Sequence, residues 1–240
     1  MDSIKSIESF FKHLSFDEKS HSYYVKGKRI PISASGVYEK FKKPFDLEGK
    51  SLKTALAEGV SQEEILERWK KKGEDACKLG SEAHHFGELY TFDRTLTPQN
   101  NFDKALVAFF KSVPDHVIPV KTELRMYHKK YNFAGTCDNV FYNKKTGKYI
   151  ISDFKTNEYL FRNFGNQKML GIFSDLLETN FNLYQVQLNL YKILLEQIKG
   201  VKVSVMKIVH LKPNGTFSDY TVEDFSRRLE DYLKSNYKMF

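Results

Sequence analysis

The stretch YIISDFKTN, residues 149–157, decides how the fold is interpreted. Its aromatic and β-branched start predicts a strand, and residues two apart in a strand face the same side. Asp153 and Lys155 therefore point together, while Phe154 points into the opposite layer. Such a pair is either an exposed ion pair, which would contribute little to stability, or the polar end of a functional strand.

Two more strand candidates precede this stretch, at 117–126 and 132–142. The turn NKKTGK joins the second of them to the strand at 148–154. Three strands joined this tightly form an antiparallel meander. If the hairpin pairs in register, Asp138 of the motif GTCD comes near Asp153 across the ladder. The sequence thus predicts two neighbouring carboxylates.

Two carboxylates this close repel each other unless a cation lies between them, and oxygen ligands favour Mg²⁺ or Mn²⁺. Lys155 beside the ion could position or deprotonate a water molecule, or it could steady developing negative charge. An ion, a water and a lysine together suit in-line attack on a phosphodiester. The pattern therefore indicates phosphodiester hydrolysis.

The rest of the chain supplies the layers around this meander. In chain order the predicted elements are a hairpin at 21–33 with Gly27 in its turn, a short helix capped by Ser33 or Ser35, helices at 50–72 and 73–92 separated by Gly73, a helix at 101–112, a helix at 183–198, a strand at 201–211 and a closing helix. From residue 75 the order is helix, three strands, helix, strand. This order predicts an α/β fold with helices packed on a small mixed sheet.

The chain is long enough for one domain with a sizeable core. We expect a single domain over 1–240, made of an N-terminal extension (1–74), a core (75–211) with an insertion (157–182), and a C-terminal helix (212–240). The insertion mixes aromatic and basic residues. It is either a lid or clamp on which bases stack beside the metal, or a helical cap on the core.

Composition limits the classes of partner and compartment. The net charge of +8 and the pI of about 9.2 favour a polyanionic partner such as nucleic acid. Two cysteines, Cys77 and Cys137, are too few for a disulfide framework or a four-thiolate metal cluster. No stretch approaches the roughly twenty apolar residues of a membrane span. These features favour a reducing, cytoplasmic compartment and no membrane partner.

Several motifs together resemble a known family. GTCD followed after a hairpin by DFK resembles the core signature of the PD-(D/E)XK nuclease superfamily. GSEAHHFGE (80–88) has the G-x-x-x-H-x-x-x-E spacing of the RecB-like branch, and QLNLY (187–191) matches its Q-x-x-x-Y helix. SASGVYEKFKKPF resembles a segment of RecB-like phage exonucleases and mitochondrial genome-maintenance exonucleases. The resemblance implies a restriction-endonuclease-like core preceded by a helical and hairpin extension.

The resemblance also implies roles for individual residues. The metal would be held by His84, Asp138, Asp153 and the backbone carbonyl of Phe154, and the histidine nitrogen tilts the preference toward Mn²⁺. Lys155 would be the catalytic lysine. Glu88 would orient His84 or act through a second ion, and Glu123 is a candidate of lower rank on a neighbouring strand. Substrate-binding candidates are Gln187, Tyr191, Thr156, Ser33 and Ser35.

Gln187 and Tyr191 lie one helical turn apart and would contact a phosphate or the lysine; the alternative is simple helix packing.

Some RecB-like nucleases carry an iron–sulfur cluster on four cysteines, so the two cysteines here predict none. No helicase motif is present, and unwinding would have to come from a helicase or recombination partner.

The sequence therefore predicts a Mg²⁺- or Mn²⁺-dependent exonuclease that acts on DNA ends in DNA processing, repair or recombination, in a bacterial or phage-infected cell. The DNA could be single- or double-stranded, and the branch implies products with a 5′-phosphate. Two alternatives remain. One is a structure- or sequence-specific endonuclease of the same fold, and the other is a DNA-binding module with a degenerate site.

Overall fold

A six-stranded mixed sheet forms the centre of the molecule, and helices cover both of its faces. The structure is a computed structural model that describes the backbone of residues 2–237 and the side chains of residues 7–237. The elements are α1 (Asp2–Phe11), β1 (Leu14–Asp17), β2 (Ser22–Val25), β3 (Lys28–Arg29), β4 (Ile32–Ser33), α2 (Ala34–Glu39), α3 (Leu47–Glu58), α4 (Gln62–Phe92), α5 (Asn101–Ser112), β5 (Val117–Tyr127), β6 (Phe133–Asn143), β7 (Lys148–Lys155), α6 (Asn180–Glu196), β8 (Val203–Leu211), β9 (Phe217–Thr221) and α7 (Ser226–Asn236).

The predicted meander is confirmed. β5, β6 and β7 pair antiparallel in sequence order, and β8 continues the sheet parallel to β7. The parallel step needs a crossover, and α6 provides it. The α/β class is therefore confirmed, as is the order of helix, three strands, helix and strand.

Two different strands, β4 and β7, pair with the same edge of β6 at different residues. β5 pairs along nearly its whole length on one side, whereas the other side meets β4 at residues 133–134 and β7 at residues 139–143. Residues 135–138, which carry the GTCD motif, lie between these two ladders. Asp138 therefore lies at the gap between the β4–β6 and β6–β7 ladders, while β6 remains paired with β5 on its other edge.

Two apolar layers hold the sheet in place. One face packs against α1, α2, α6 and α7 around side chains such as Met126, Leu188 and Leu190, which are fully buried. The opposite face packs against α4 and α5 around Phe154 and Leu106. Because Phe154 lies in this second layer, its strand neighbours Asp153 and Lys155 face the other way, as predicted.

The predicted helix boundary at Gly73 is wrong. α4 runs without interruption from Gln62 to Phe92, and the break lies earlier, at Gly59. Gly59 closes α3 in the left-handed conformation (φ 69°), and the Ser61 side chain caps α4 by accepting the N–H of Glu64. A glycine inside a helix costs only about 1 kcal/mol, so Gly73 is tolerated within this long helix.

The N-terminal segment belongs to the same structure as the rest of the chain. The predicted hairpin is confirmed, and its turn places Lys26 and Gly27 at positive φ (50° and 77°), as tight hairpin turns require. The strand β4 then pairs with β6, and the boundary predicted at residue 74 falls inside α4. No division of the chain is visible at that position.

Two predicted segments differ from the structure. The C-terminal segment predicted as a helix over 212–240 contains the strand β9 before α7, and residues 238–240 lie outside the described residues. The insertion predicted at 157–182 is irregular apart from one 3₁₀ turn, Gly171–Phe173, and α6 begins at Asn180. Its buried residues Leu160, Met169 and Phe173 cap the core, although the segment is not helical.

In the part of the chain that the structure describes, none of the helices combines the length and the apolar character that crossing a bilayer requires.

Candidate active site

The end of the β6–β7 ladder brings two aspartates together. The last pair of the ladder is Asn139 with Ser152, so Asp138 and Asp153 are the next residues on the two strands. Both are buried, and Asp138 Oδ2 accepts the backbone N–H of Phe154 at 2.6 Å. The backbone thus fixes one carboxylate beside the other.

Glu123 reaches the same place from β5 through an unusual backbone conformation. Its neighbours Thr122 and Leu124 pair with Asn139 and Cys137, which puts Glu123 level with Asp138. Its φ of 46° lies in the left-handed region, which costs a non-glycine residue about 1–3 kcal/mol. Such strain within a strand is typical of functional positions.

His84 comes from the last third of α4 and lies beside residues of β5, β6 and β7. Its Nδ1 lies 3.2 Å from Asp138 Oδ2 and 4.0 Å from Glu123 Oε1, and its Nε2 lies 3.1 Å from the carbonyl oxygen of Phe154. The helix can approach this closely because Gly87 faces Phe154: a Cβ at Gly87 would lie 3.0 Å from the phenylalanine ring. The predicted placement of His84 beside Asp138 is therefore seen.

A metal ion could be held by His84, Glu123 and Asp138. Each offers one ligand atom, and these atoms all lie within 4.8 Å of one another. One nitrogen and two carboxylate oxygens suit Mn²⁺. Mg²⁺ also fits the two oxygens but favours a nitrogen ligand less. The set differs from the predicted one because Glu123 is its third member. Among the described residues the two cysteines lie apart, Cys77 exposed and Cys137 buried, and form no cysteine cluster.

The charges of this group are strongly coupled. Burial and the carboxylate of Asp138 raise the pKa of Glu123 to about 8, and the same two causes raise the pKa of Asp153 to about 6. Burial alone would lower the pKa of His84, but Asp138 outweighs it and raises the pKa to about 9. The raised pKa values of the two acids reflect repulsion between neighbouring carboxylates in a buried site, and a bound cation would relieve that repulsion.

Lys155 lies on the other side of Asp153. Its Nζ contacts Asp153 Oδ2 and donates to Gln187 Oε1 at 3.2 Å, and Gln187 Nε2 donates to the hydroxyl of Tyr191 at 2.7 Å. Burial would lower the pKa of Lys155, but the charges of Asp153 and Asp138 outweigh burial and hold it above its usual value. Lys155 is therefore a half-buried cation at neutral pH.

Tyr184 also contacts Lys155, and the sequence prediction missed it. Its ring centroid lies 4.3 Å from Lys155 Nζ, which is within cation–π distance. Tyr184 precedes Gln187 by three residues, so the two side chains share one face of α6. That i, i+3 spacing beside the predicted Q-x-x-x-Y pair is the signal by which it could have been found.

Tyr191 also explains the glycine of the GTCD motif. A Cβ at Gly135 would lie 2.8 Å from a ring carbon of Tyr191 and 3.0 Å from the Cβ of Ala34. The ring of Tyr191 therefore packs α6 on β6, which is the packing alternative, while its hydroxyl accepts the amide of Gln187. Direct contact of Gln187 with Lys155 is seen, and contact of either residue with a phosphate stays a prediction.

The other predicted residues lie at the margin of this group. Glu88 is half-exposed, and its nearest basic neighbour is His85, at 4.0 Å. Thr156 follows Lys155 and faces Gly80 of α4, where an added Cβ would lie 3.5 Å from the Thr156 hydroxyl. Ser33 caps α2 by accepting the N–H of Gly36 at 3.0 Å, and Ser35 is exposed. The predicted catalytic role of Glu88 and the predicted substrate-binding roles of Thr156, Ser33 and Ser35 stay predictions.

No protein-family model matches this chain, and no curated protein is significantly similar to it. The functional assignment therefore depends on the geometry of the site itself.

Proposed function

We propose that this protein is a metal-dependent deoxyribonuclease that hydrolyses phosphodiester bonds from DNA ends. One observation carries the proposal. An ion pair between the half-buried Lys155 and the buried Asp153 lies directly beside a group of His84, Glu123 and Asp138 that could hold a divalent ion. A divalent ion and a fixed ammonium group on one phosphate are what phosphodiester hydrolysis demands.

The order of elements supports a specific fold within this proposal. A helix, an antiparallel meander, a crossover helix and a parallel fourth strand support a restriction-endonuclease-like core, in keeping with the PD-(D/E)XK resemblance of GTCD and DFK. The aspartates stand where the β6–β7 ladder ends and these two strands separate from each other.

Within the proposal, His84, Glu123 and Asp138 would bind the metal, with Asp153 and the carbonyl of Phe154 beside them. Their oxygen and imidazole donors fit Mg²⁺ or Mn²⁺. When bound, such an ion would supply Lewis-acid stabilisation of the phosphate. The N–H of Phe154 holds the carboxylate of Asp138 in place before any ligand arrives.

Lys155 would act as a fixed positive charge. Asp153, Gln187 and Tyr184 hold its ammonium group from three sides, and its raised pKa keeps it protonated. A protonated amine cannot take a proton from water, so the geometry favours stabilisation of negative charge on the phosphate over general-base action. Removing one preorganised donor of this kind costs about 10²–10³ in rate.

The test compares linear and closed circular DNA with Mg²⁺ or Mn²⁺. We expect end-labelled linear DNA to be degraded, the circle to survive, and Lys155→Ala to lose about 10²–10³ in rate. Lys207→Ala is the matched control, because Lys207 also pairs with an aspartate, Asp219, on neighbouring strands β8 and β9. The position of the label that is released first gives the polarity.

The other outcomes point to the alternatives. Cutting of the circle by the wild type, lost in Lys155→Ala, would identify an endonuclease. DNA binding without cleavage of either form, under both metals, would identify a binding module and overturn the proposal. A separate outcome is an active enzyme that degrades single strands but stops at duplex ends. That outcome would call for a search for a helicase or recombination partner.

A further inference from the structure

Between β7 and α6 the chain exposes two aromatic rings with an arginine between them. The guanidinium carbon of Arg162 lies 4.7 Å from the ring centroid of Tyr159 and 4.7 Å from that of Phe164. The two aromatic residues are 47% and 68% exposed. Tyr159, Arg162 and Phe164 are called the aromatic stack below.

The backbone beneath the stack is held firmly. The carbonyl oxygen of Tyr159 accepts the side-chain amides of Asn157 at 2.7 Å and Asn180 at 2.8 Å. Asn163 Nδ2 donates to two backbone carbonyls of the same segment, each at 2.8 Å. The rings are thus presented by a fixed loop, and a ligand would not have to order the backbone.

A third aromatic residue of the segment shows the contrast. Phe161 is 52% exposed, but its ring packs against Phe181 at 4.9 Å and Tyr220 at 5.0 Å between centroids. Within residues 7–237, the rings of Tyr159 and Phe164 pack on no other aromatic ring. Phe161 therefore has a structural role, whereas packing on other aromatic rings of the described residues does not account for the two rings of the stack.

The stack lies close to the candidate active site. Tyr159 follows Lys155 by four residues, so their Cα atoms are at most about 14 Å apart. The segment also meets α4, where Lys72 Nζ lies 3.8 Å from a carboxylate oxygen of Glu158. A strand of nucleic acid with one phosphate at Lys155 would therefore have Tyr159 within reach of its next few nucleotides.

We infer that the aromatic stack binds unpaired bases of single-stranded DNA that leads into the site, an inference that rests on the proposed function. Every base offers a flat face to an aromatic ring, and an arginine between two rings adds a positive charge for the backbone. Among the described residues no carboxylate forms a salt bridge with Arg162, so its charge is available. A duplex hides its base faces, so the stack favours single strands.

The test measures binding of a fluorescein-labelled oligothymidylate and of a blunt duplex by fluorescence anisotropy. Asp138→Asn serves as the background, because it prevents consumption of the DNA while an amide oxygen can still accept the N–H of Phe154. We expect Phe164→Ala and Tyr159→Ala each to weaken single-strand binding about tenfold and to leave duplex binding unchanged. Arg162→Lys keeps the charge but loses the planar stack, and should weaken it by less.

Phe92→Ala is the matched control. Phe92 is 62% exposed and lies about 30 Å further along α4 than Lys72, at 1.5 Å per residue. It should bind both DNAs as the background does. Equal loss of single-strand and duplex binding in Phe164→Ala would overturn the inference, as would unchanged single-strand binding. A change of oligomeric state in Phe164→Ala on size-exclusion chromatography would also overturn it, because the ring would then belong to a protein contact.

Failure of this inference differs from failure of the proposed function. If cleavage depends on Lys155 while Phe164→Ala binds single strands normally, the nuclease proposal stands and the stack has another role. If the wild type cleaves nothing while single-strand binding depends on Phe164, the stack is confirmed as a binding surface and the nuclease proposal fails.

Discussion

Acid should weaken the turn between β5 and β6 through one imidazole, that of His128. The ring is only 9% exposed and stacks on Tyr131 and Phe133, with centroids 4.3 Å and 5.7 Å away. Its Nδ1 accepts the backbone N–H groups of Lys130 at 3.1 Å and Tyr131 at 3.0 Å. A proton on this nitrogen would remove both hydrogen bonds at once.

The size of the effect follows from the pKa. Burial, together with the charge of Lys130, lowers the pKa of His128 to about 4. The unfolded chain has a pKa of about 6.5 and therefore binds the proton more readily. Stability is present above pH 6.5 and is lost as the pH falls toward 4. The loss reaches about 2 kcal/mol at pH 5 and about 3 kcal/mol in full.

Urea denaturation at pH 7.5 and pH 5 measures this loss. His128→Asn is the reference, because an asparagine oxygen can accept the same turn N–H groups but does not titrate. Between the two pH values the wild type should lose about 2 kcal/mol more than His128→Asn, with no change in the dependence on urea concentration. The site carboxylates contribute equally to both proteins and cancel. Equal losses in the two proteins would refute the reasoning.

Other predictions concern packing, the lysine and the metal. Gly135→Ala should lower the free energy of unfolding by about 1–3 kcal/mol through overpacking against α6, whereas Gly73→Ala, whose added methyl meets nothing within 4 Å, should raise it by about 0.5–1 kcal/mol; thermal denaturation separates them. Tyr184→Leu should slow cleavage about threefold to thirtyfold by removing the cation–π contact, and Tyr184→Phe should keep wild-type rates. Mn²⁺ should raise the melting temperature of the wild type and EDTA should reverse it, with no effect in His84→Asn. Because Glu123, with its pKa of about 8, binds a proton as the pH falls, this Mn²⁺ effect should be smaller at pH 6 than at pH 8.5; a larger effect at pH 6 would contradict the assigned ligand.

Local patterns predicted the elements that bear the site. The helix at 101–112 is confirmed in its bounds because Asn100 and Asp103 form a capping box and the apolar period is regular. The meander is confirmed because short turns leave antiparallel pairing as the simple choice. Asp138 and Asp153 therefore come together as the sequence predicted, since both flank one hairpin.

Features that depend on distant parts of the chain escaped prediction. β4 pairs with β6 across about a hundred residues, and no local pattern in two residues indicates that. The sequence named Glu123 only as a candidate of lower rank, because a glutamate in a strand pattern signals neither its positive φ nor its place in the metal group. The break predicted at Gly73 was wrong although the signal was local. A well-capped helix tolerates one glycine in its interior, so the glycine alone did not predict where the helix ends.

The two nitrogens of His84 have a consequence for the protein without metal. With a pKa of about 9 the ring is protonated at neutral pH, and it bridges Asp138 and the carbonyl of Phe154 as a built-in counter-ion. Uptake of a divalent ion would then be an exchange of one cation for another, in which the imidazolium gives up its proton. The carboxylates never face each other uncompensated, so the fold does not require the metal, in contrast to small domains that unfold on chelation.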